Sequence, residues 1–406
     1  MNSVGIDVSK EKSTVCILRP YGEIVFAPYD VLHTQAGITS LTQIIKALEG
    51  DTRVIMEATG AYHLPILLEL QRAGLFVSVI NPLAMKKYAS TSIRKGKTDK
   101  MDSIRIANYG IDHWFKLTEF KASEEVYAQL RLLGRQYAHY IKLRVSAKLT
   151  LTNLLDQTMP GIKKLLTAKR PDAPTRDKLS DFVETYWHYD LITQKSEKQF
   201  VNCYVKWARK WGYHASEKKA QAIYVMAMNG IPTLSSNDAS TKMLTLEAVR
   251  VLKEINKTLD IIIAKMQEIA SSLPEYETVR AMQGVGPLLA MRLIGEIGDV
   301  RRFHSGSALV AYAGLDAPPF QSGNFQGVNR HISKRGSALL RKNGYEVMQC
   351  LKSIKPIEDN AVYLFMLKKE QEGKSLKCAK IAALNKFLRI YYARVKELYA
   401  DTIELK

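Results

Sequence analysis

Over the first eighty residues the apolar positions change period several times. "SVGIDVS" and "STVCILRP" place apolar residues at the two-residue spacing of a strand, with the charged turn "KEK" between them. "GEIVFAPYDV" follows the turn Pro20-Tyr21-Gly22, so three short strands joined by tight turns predict an antiparallel meander. The period then lengthens: "GITSLTQIIKALEG" carries a helical apolar face and closes on Gly50. "TRVIMEATG" reads as a fourth strand, "YHLPILLELQRAGL" as a second helix, and "FVSVINP" as a fifth strand stopped by Pro82.

That order, three strands, helix, strand, helix, strand and then helix, is the order of a ribonuclease-H-like domain, mixed α/β about a central sheet. Beyond it the pattern is helical. Residues 122–155 are mildly basic and end at Met159-Pro160-Gly161. The stretch 160–245 is the least regular and includes "YWHYDLITQKSEKQFVNCYVKWARKWGYH". Aromatic and basic residues together can build stacking platforms for bases. Yet Trp207 and Trp211 stand one helical turn apart, the spacing of a packed face, and core or interface is the favoured reading.

Leu252, Ile255, Leu259, Ile262, Met266, Ile269 and Leu273 alternate spacings of three and four before Pro274. That is the seam of a coiled coil and predicts self-association, although a helix buried within the chain would carry the same pattern. Further on, Gly284-Val285-Gly286-Pro287 precedes an apolar helix and offers unpaired backbone N–H groups where a phosphate can sit. The segment "AYAGLDAPPFQSGNFQGVNRHISKRGSALLR" predicts a long exposed loop before a basic helix, and the last sixty residues read as helical. The fold class is therefore α/β plus α.

Composition narrows the partners. Lysine and arginine outnumber aspartate and glutamate by 59 to 40, a net charge of +19, which points to a polyanion such as nucleic acid. The excess is local. Lys86, Lys87, Arg94, Lys95 and Lys97 form one cluster, and Arg330, Lys334, Arg335 and Arg341 another. The four cysteines show no CxxC spacing, which argues against a disulfide framework and against a zinc site. No apolar run of about 18 residues is present, so no membrane span is expected. The N-terminus, charged and strand-like, lacks the apolar core of a signal peptide, and the expected location is cytoplasmic.

The remaining question is the run "KTDKMDS". Asp99 and Asp102 are neighbours on one helix face and repel each other. A solvated face neutralised by lysines explains a lone DxxD. Carboxylates elsewhere change the weighing: Asp7 lies at the middle of the first strand and Glu57 near the end of the fourth. In a ribonuclease-H-like sheet these four positions can assemble hard oxygen ligands for two Mg²⁺ ions, with Mn²⁺ as the alternative. An acid on a buried strand is otherwise costly.

"GIDVSK", "MEATGAY", "VSVINP" and "KTDKMDS" resemble the successive motifs of the DEDD insertion-sequence transposases, the family that includes the Piv-type DNA invertases. "GVGPLLAMRLIGEIGD", "FHSGSALVAYAGLDAP", "QSGNFQG" and "ISKRGSALLR" resemble that family's C-terminal domain. The resemblance implies a RuvC-like nuclease domain over residues 1–120 and a helical linker with the coiled coil over 121–275. A serine transposase domain over 276–350 and C-terminal helices over 351–406 would follow. It further implies a serine nucleophile, here Ser322, a structured bridge RNA as guide, and DNA (element ends and target) as substrate. The active form would be a dimer or tetramer, in which the acids of one subunit meet the serine of another. Ser333 and Ser337 carry no such implication. The stretch 160–245 departs from the family's linker in length and aromatic content. Two other readings fit the same residues: a RuvC-like structure-specific endonuclease that uses water, and a nucleic-acid-binding scaffold without catalysis.

Overall fold

In the computed structural model, residues 1–58, 60, 62–90, 98–120, 125–166, 177–318, 321–322, 325–326, 331–356 and 360–404 are described, with the backbone alone for 321–322, 325–326 and 401–404. The chain forms two units, Met1–Ala122 and Ser123–Lys406.

The first unit is built on a five-stranded sheet in the order β3-β2-β1-β4-β5, with β1 (Asn2–Val8), β2 (Lys12–Leu18), β3 (Ile24–Leu32), β4 (Thr52–Glu57) and β5 (Val77–Ile80). β1, β2 and β3 pair antiparallel, the meander that the tight turns predict, whereas β1, β4 and β5 pair parallel through helical crossovers. The helices are α1 (Gln35–Lys46), α2 (His63–Arg72), α3 (Pro82–Ala89) and α4 (Asp99–Asp112). Alternation along each strand divides the side chains between two faces. Val4, Ile6, Val15, Ile17, Val54 and Met56 pack with residues of α1 and α2 such as Leu41 and Leu67. Cys16 and Leu18 meet Ala107 of α4 on the opposite face, and Ile55 meets Ile106 there.

Among the described residues, the second unit is helical apart from one small pair of strands. Its first long helix, α5 (Glu125–Thr158), is followed by α6 (Ile162–Leu166), α7 (Lys178–Thr185), α8 (Asp190–Thr193), α9 (Glu197–Lys210) and α10 (Glu217–Asn229). Its second, α11 (Ala239–Ser271), returns antiparallel to α5. Gly134 near the start of α5 faces Met266 near the end of α11, and Leu154 and Gln157 share a groove with Leu244 and Ala248. The backbone N–H of Thr233 donates to the carbonyl of Gln157 at 2.9 Å, so the chain re-enters this pair where it left. Of the heptad stripe, Leu252, Leu259, Ile262 and Met266 are buried within the chain, Ile255, Ile269 and Leu273 are half-buried, and Asn256 beside Ile255 is buried as well. The buried positions of that repeat are covered by helices of the same chain.

Two apolar clusters lie along the pair. One gathers α6–α10, with Phe182, Phe200, Tyr204 and Trp207 at its centre. Trp207 is a core residue, its ring 5.5 Å from Phe182 and 5.6 Å from both Tyr204 and Tyr213. The other joins α12 (Glu275–Arg280), α13 (Pro287–Ile297), α14 (Gly306–Tyr312), α15 (Ala338–Ile354), α16 (Ala361–Gln371) and α17 (Leu376–Glu404). Between α14 and α15 lies the hairpin of β6 (Gln321–Ser322) and β7 (Phe325–Gln326). No helix among the described residues is long and apolar enough to cross a membrane.

Candidate functional site

β1 and β4 are parallel neighbours, in register through Ile6 and Met56. The next residue on each strand is an acid, so Asp7 and Glu57 stand side by side at the same end of the two strands. That is the carboxyl end of parallel strands, where open α/β sheets place their ligands. Alternation sends both acids to the face that α4 covers. α4 runs antiparallel to β1 at very close approach: Gly110 packs on Ser3 and Ile55, and Ser103 and Ala107 pack on Gly5. A Cβ on Gly5 would come within 2.3 Å of the Ala107 nitrogen and the Ser103 carbonyl oxygen. One turn further toward its start, α4 carries Asp102 and Asp99, which brings the DxxD turn toward the Asp7 end of the sheet. Thr98 caps that turn by accepting from Met101 N–H at 3.2 Å, and the helix dipole favours both aspartates there.

Two cations lie near the α4 acids. Asp102 pairs with Arg105 at 2.7 Å. Across the sheet, Asp7 is registered with Thr14, and Thr14 with Asp30. The Thr14 hydroxyl donates to Asp30 at 2.8 Å and the Lys12 ammonium donates to the same carboxylate at 2.6 Å. The hydrogen bond with Asp30 raises the Lys12 pKa, and the charge of Asp99 adds to it. Asp30 is lowered in turn by its bonds from Lys12 and Thr14. Sequence reasoning did not select Lys12, Thr14 or Asp30, because their alignment with Asp7 exists only once the register of the meander is set.

The donor set suits a hard divalent cation in kind, four carboxylates from three elements that converge on one end of the sheet. As the side chains stand, no group of three or more His, Cys, Asp or Glu among the described residues is close enough to hold a metal ion. Asp102 faces Arg105 instead.

In the second unit, Ser322 lies on β6 opposite Phe325 of β7. The chain on either side of this segment, its stem, is held together by hydrogen bonds. Ser333 N–H donates to the Asp316 carbonyl at 2.8 Å, and the Ser333 hydroxyl donates to the Asp316 carboxylate. Lys334 N–H donates to the Gly314 carbonyl at 3.0 Å and Ser337 N–H to the Tyr312 carbonyl at 2.8 Å. Gly336 must be glycine here, since a Cβ would fall 1.8 Å from the Tyr312 oxygen. The Ser337 hydroxyl caps α15 and donates to Glu296 at 2.8 Å, and Glu296 also pairs with Arg135 at 3.0 Å.

Of the basic positions, Lys86 and Lys87 are exposed in the last turn of α3, and Lys334 and Arg335 are exposed on the stem. Arg341 braces that stem, donating to the carbonyls of Ala313 (2.9 Å) and Gly336 (3.1 Å). Gly284 has φ +83° and packs against Leu351 of α15, while Gly286 is the N-cap of α13 with open space where a Cβ would be. Arg94, Lys95, Lys97 and Arg330 lie outside the described residues, as does the side chain of Ser322.

Comparison with known proteins finds two family matches. Residues 4–160 match DEDD_Tnp_IS110, described as Transposase, and residues 276–363 match Transposase IS116/IS110/IS902 family. The pilin gene-inverting protein of Moraxella lacunata is 30% identical over 142 residues, 34% of this chain and 42% of that protein. The chain thus spans less than half of that relative's length. The insertion element IS116 44.8 kDa protein of Streptomyces clavuligerus is 22% identical over 346 residues, 83% of this chain and 81% of that one. The transposase for IS1111A of Coxiella burnetii is 34% identical over 77 residues, 19% of this chain and 21% of its own. Among solved structures, RuvC of Thermus thermophilus aligns with 30% of this chain and 100% of its own, at 11% identity and a TM-score of 0.25.

Proposed function

We infer that this chain, matched over residues 4–160 and 276–363 by the two transposase families, is a transposase of the IS110/IS116 family that carries out site-specific DNA recombination. The observation that carries the reading is the register at the sheet's end: Asp7 and Glu57 adjacent on parallel strands, with the Asp99–Asp102 turn of α4 directed to the same end. These four acids would hold divalent cations, Mg²⁺ or Mn²⁺. When bound, such ions stabilise charge on a phosphoryl group and activate a nearby hydroxyl. Lys12, held by Asp30, and Arg105 would keep positive charge beside the acids where a DNA phosphate must approach.

Ser322 is the proposed nucleophile. Its hydroxyl loses a proton as the oxygen bonds to phosphorus, and the strand's ester oxygen leaves and takes up a proton. The bond energy is kept in a phosphoserine link, so the reverse step rejoins the strand to a new end without a nucleotide cofactor. The bonds from Ser333, Lys334 and Ser337 to Asp316, Gly314 and Tyr312 hold together the chain on either side of the Ser322 segment, which supports a site at this place. The exposed Lys86, Lys87, Lys334 and Arg335, with the N–H groups of Gly284 and Gly286, would bind backbone phosphates, while the Val285 N–H donates to the Met282 carbonyl at 2.9 Å. The net charge of +19 supports a second polyanion, a structured guide RNA, and the reading includes assembly as a dimer or tetramer.

The test uses nicked element-end DNA, Mg²⁺ and a denaturing gel. Wild type should give a slower protein–DNA species. Asp7→Ala, Glu57→Ala, Asp99→Ala and Asp102→Ala should each abolish cleavage, and Ser322→Ala should lose cleavage and adduct together. Metal-dependent nicking without an adduct would remove the serine step and leave the acids. Normal recombination by both Asp99→Ala and Asp102→Ala would reduce the DxxD turn to a charged helix face.

A further inference from the structure

The segment that carries Ser322 leaves the helical cluster after Tyr312 and returns to it at Ser337. Both ends meet one residue, Glu296 in the last turn of α13. The Ser337 hydroxyl donates to the Glu296 carboxylate at 2.8 Å, and the Tyr312 hydroxyl donates to the Glu296 backbone carbonyl at 3.2 Å. The ends are also bonded to each other, Ser337 N–H to the Tyr312 carbonyl at 2.8 Å. The other carboxylate oxygen of Glu296 accepts from Arg135 of α5 at 3.0 Å. One turn earlier on α5, Arg131 donates to the Gly295 carbonyl at 3.0 Å. α13 is thereby fixed on α5 at the point where it holds the segment.

Glu296 is 4% exposed and stands among Leu293, Ile294 and Ile297, which are fully buried. A carboxylate is costly there, and an apolar side chain in place of a buried ion pair often holds a fold as well or better. The helix cap does not require it, since Ser337 caps α15 by accepting from Leu340 N–H at 3.1 Å. Arg341 of α15 joins the two ends of the segment through the Ala313 and Gly336 carbonyls. What the carboxylate adds is registration against α13 and α5. It only accepts, so it takes the Ser337 proton and the Arg135 N–H at once and holds the returning chain in one place.

We propose that Glu296 is a positioning residue for strand transfer, one that sets the place of the Ser322 segment relative to α13 and α5. The inference rests on the reading of Ser322 as the nucleophile and names the group that aligns it.

The experiment compares wild type, Glu296→Leu and Glu296→Gln in the full chain. It measures thermal melting, hydrogen–deuterium exchange of the peptide spanning 331–337, and adduct formation with nicked element-end DNA. Glu296→Leu should melt within a few degrees of wild type, because Arg135 is exposed and can turn to water. Exchange at the Ser333, Lys334 and Ser337 amides should rise about tenfold, the factor for one lost charge-assisted hydrogen bond. The amides of Val347 to Leu351 in α15 should stay protected. The adduct rate at saturating DNA should fall about tenfold, with the half-saturating DNA concentration unchanged. Glu296→Gln keeps an oxygen for Ser337 and should recover part of both losses. A Glu296→Leu chain that melts far lower and exchanges faster throughout α15 gives Glu296 a structural role alone and overturns the proposal. So does unchanged exchange over 331–337, or faster exchange with a wild-type adduct rate. Should Glu296→Leu fail to fold, Glu296→Gln decides, and wild-type exchange and adduct rate for it refute the assignment. If wild type itself forms no adduct, the serine reading falls. Exchange needs no DNA and still tests whether Glu296 sets this segment, so the two readings fail separately.

Discussion

Gly5→Ala is the smallest change that tests how the acid site is assembled. The added methyl would stand 2.3 Å from two backbone atoms of α4, Ala107 N and Ser103 O, and 2.8 Å from the Ala107 Cα, where ordinary contact begins at 3.4 Å. Backbone cannot rotate away, so α4 must retreat by about 1 Å or β1 must bend. Overpacking of this kind costs about 1–3 kcal/mol, and in a unit of this size that lowers Tm by roughly 5–15 °C. Because α4 also carries Asp99 and Asp102, the same shift should separate them from Asp7 and Glu57. A displacement of about 1 Å at reacting groups costs on the order of 10²-fold in rate. Thermal melting followed by circular dichroism, with the rate of Mg²⁺-dependent strand cleavage, reads both effects. Gly110→Ala is the graded comparison, since its methyl meets the Ser3 hydroxyl and the Ile55 side chain, which can turn aside. It should melt lower than wild type yet cleave faster than Gly5→Ala. Wild-type melting together with wild-type cleavage for Gly5→Ala would refute the packing argument for α4.

Two further perturbations test the second unit. Ser333→Ala leaves the Asp316 carboxylate without its hydroxyl donor, and should lower Tm by the equivalent of about 1 kcal/mol and slow adduct formation while DNA binding measured by anisotropy stays unchanged; equal adduct rates would make the stem irrelevant to the serine. Lys178 lies 5.4, 5.9 and 5.1 Å from the rings of Tyr204, Trp207 and Tyr213, and burial, aided by the charge of Lys219, lowers its pKa to about 8. Below pH 8 both folded and unfolded chains bind this proton and the burial cost is fully present, while between pH 8 and about 10.5 only the unfolded chain holds it. Its contribution to stability should therefore rise across that window, and urea titrations of Lys178→Met should lack the rise that wild type shows.

The strands were legible because their signal is local. Alternation and turn residues mark "SVGIDVS", "STVCILRP" and "GEIVFAPYDV", and the meander follows from the short connections alone. The positions of Asp7 and Glu57 on their strands could be read for the same reason. What alternation cannot convey is the register between strands, and so the row Asp7–Thr14–Asp30, with Lys12 beside it, emerged only from the folded sheet. The heptad in α11 shows a different limit. Its period specifies a buried stripe but does not identify what buries it, and the neighbour here is α5 of the same chain. Ser333 and Ser337 looked like inert neighbours of Ser322 in sequence; their hydroxyls hold Asp316 and Glu296, partners 17 and 41 residues away that no local pattern reveals.

The re-entry of the chain at Gln157 has a consequence for how such a protein can change over generations. Helices α6 to α10 leave a two-helix hairpin and return to it at the hydrogen bond between Thr233 N–H and the Gln157 carbonyl. The lobe between them is thus topologically a bulge in a loop. It can lengthen, shrink or be exchanged while α5 and α11 keep their path, provided Leu151, Leu155, Val249 and Leu252 remain covered. Entropy does not forbid this, since each doubling of a loop's length costs only about 0.6 kcal/mol in closure. Such a joint lets the lobe of α6 to α10 vary independently of the cluster formed by α12 to α17.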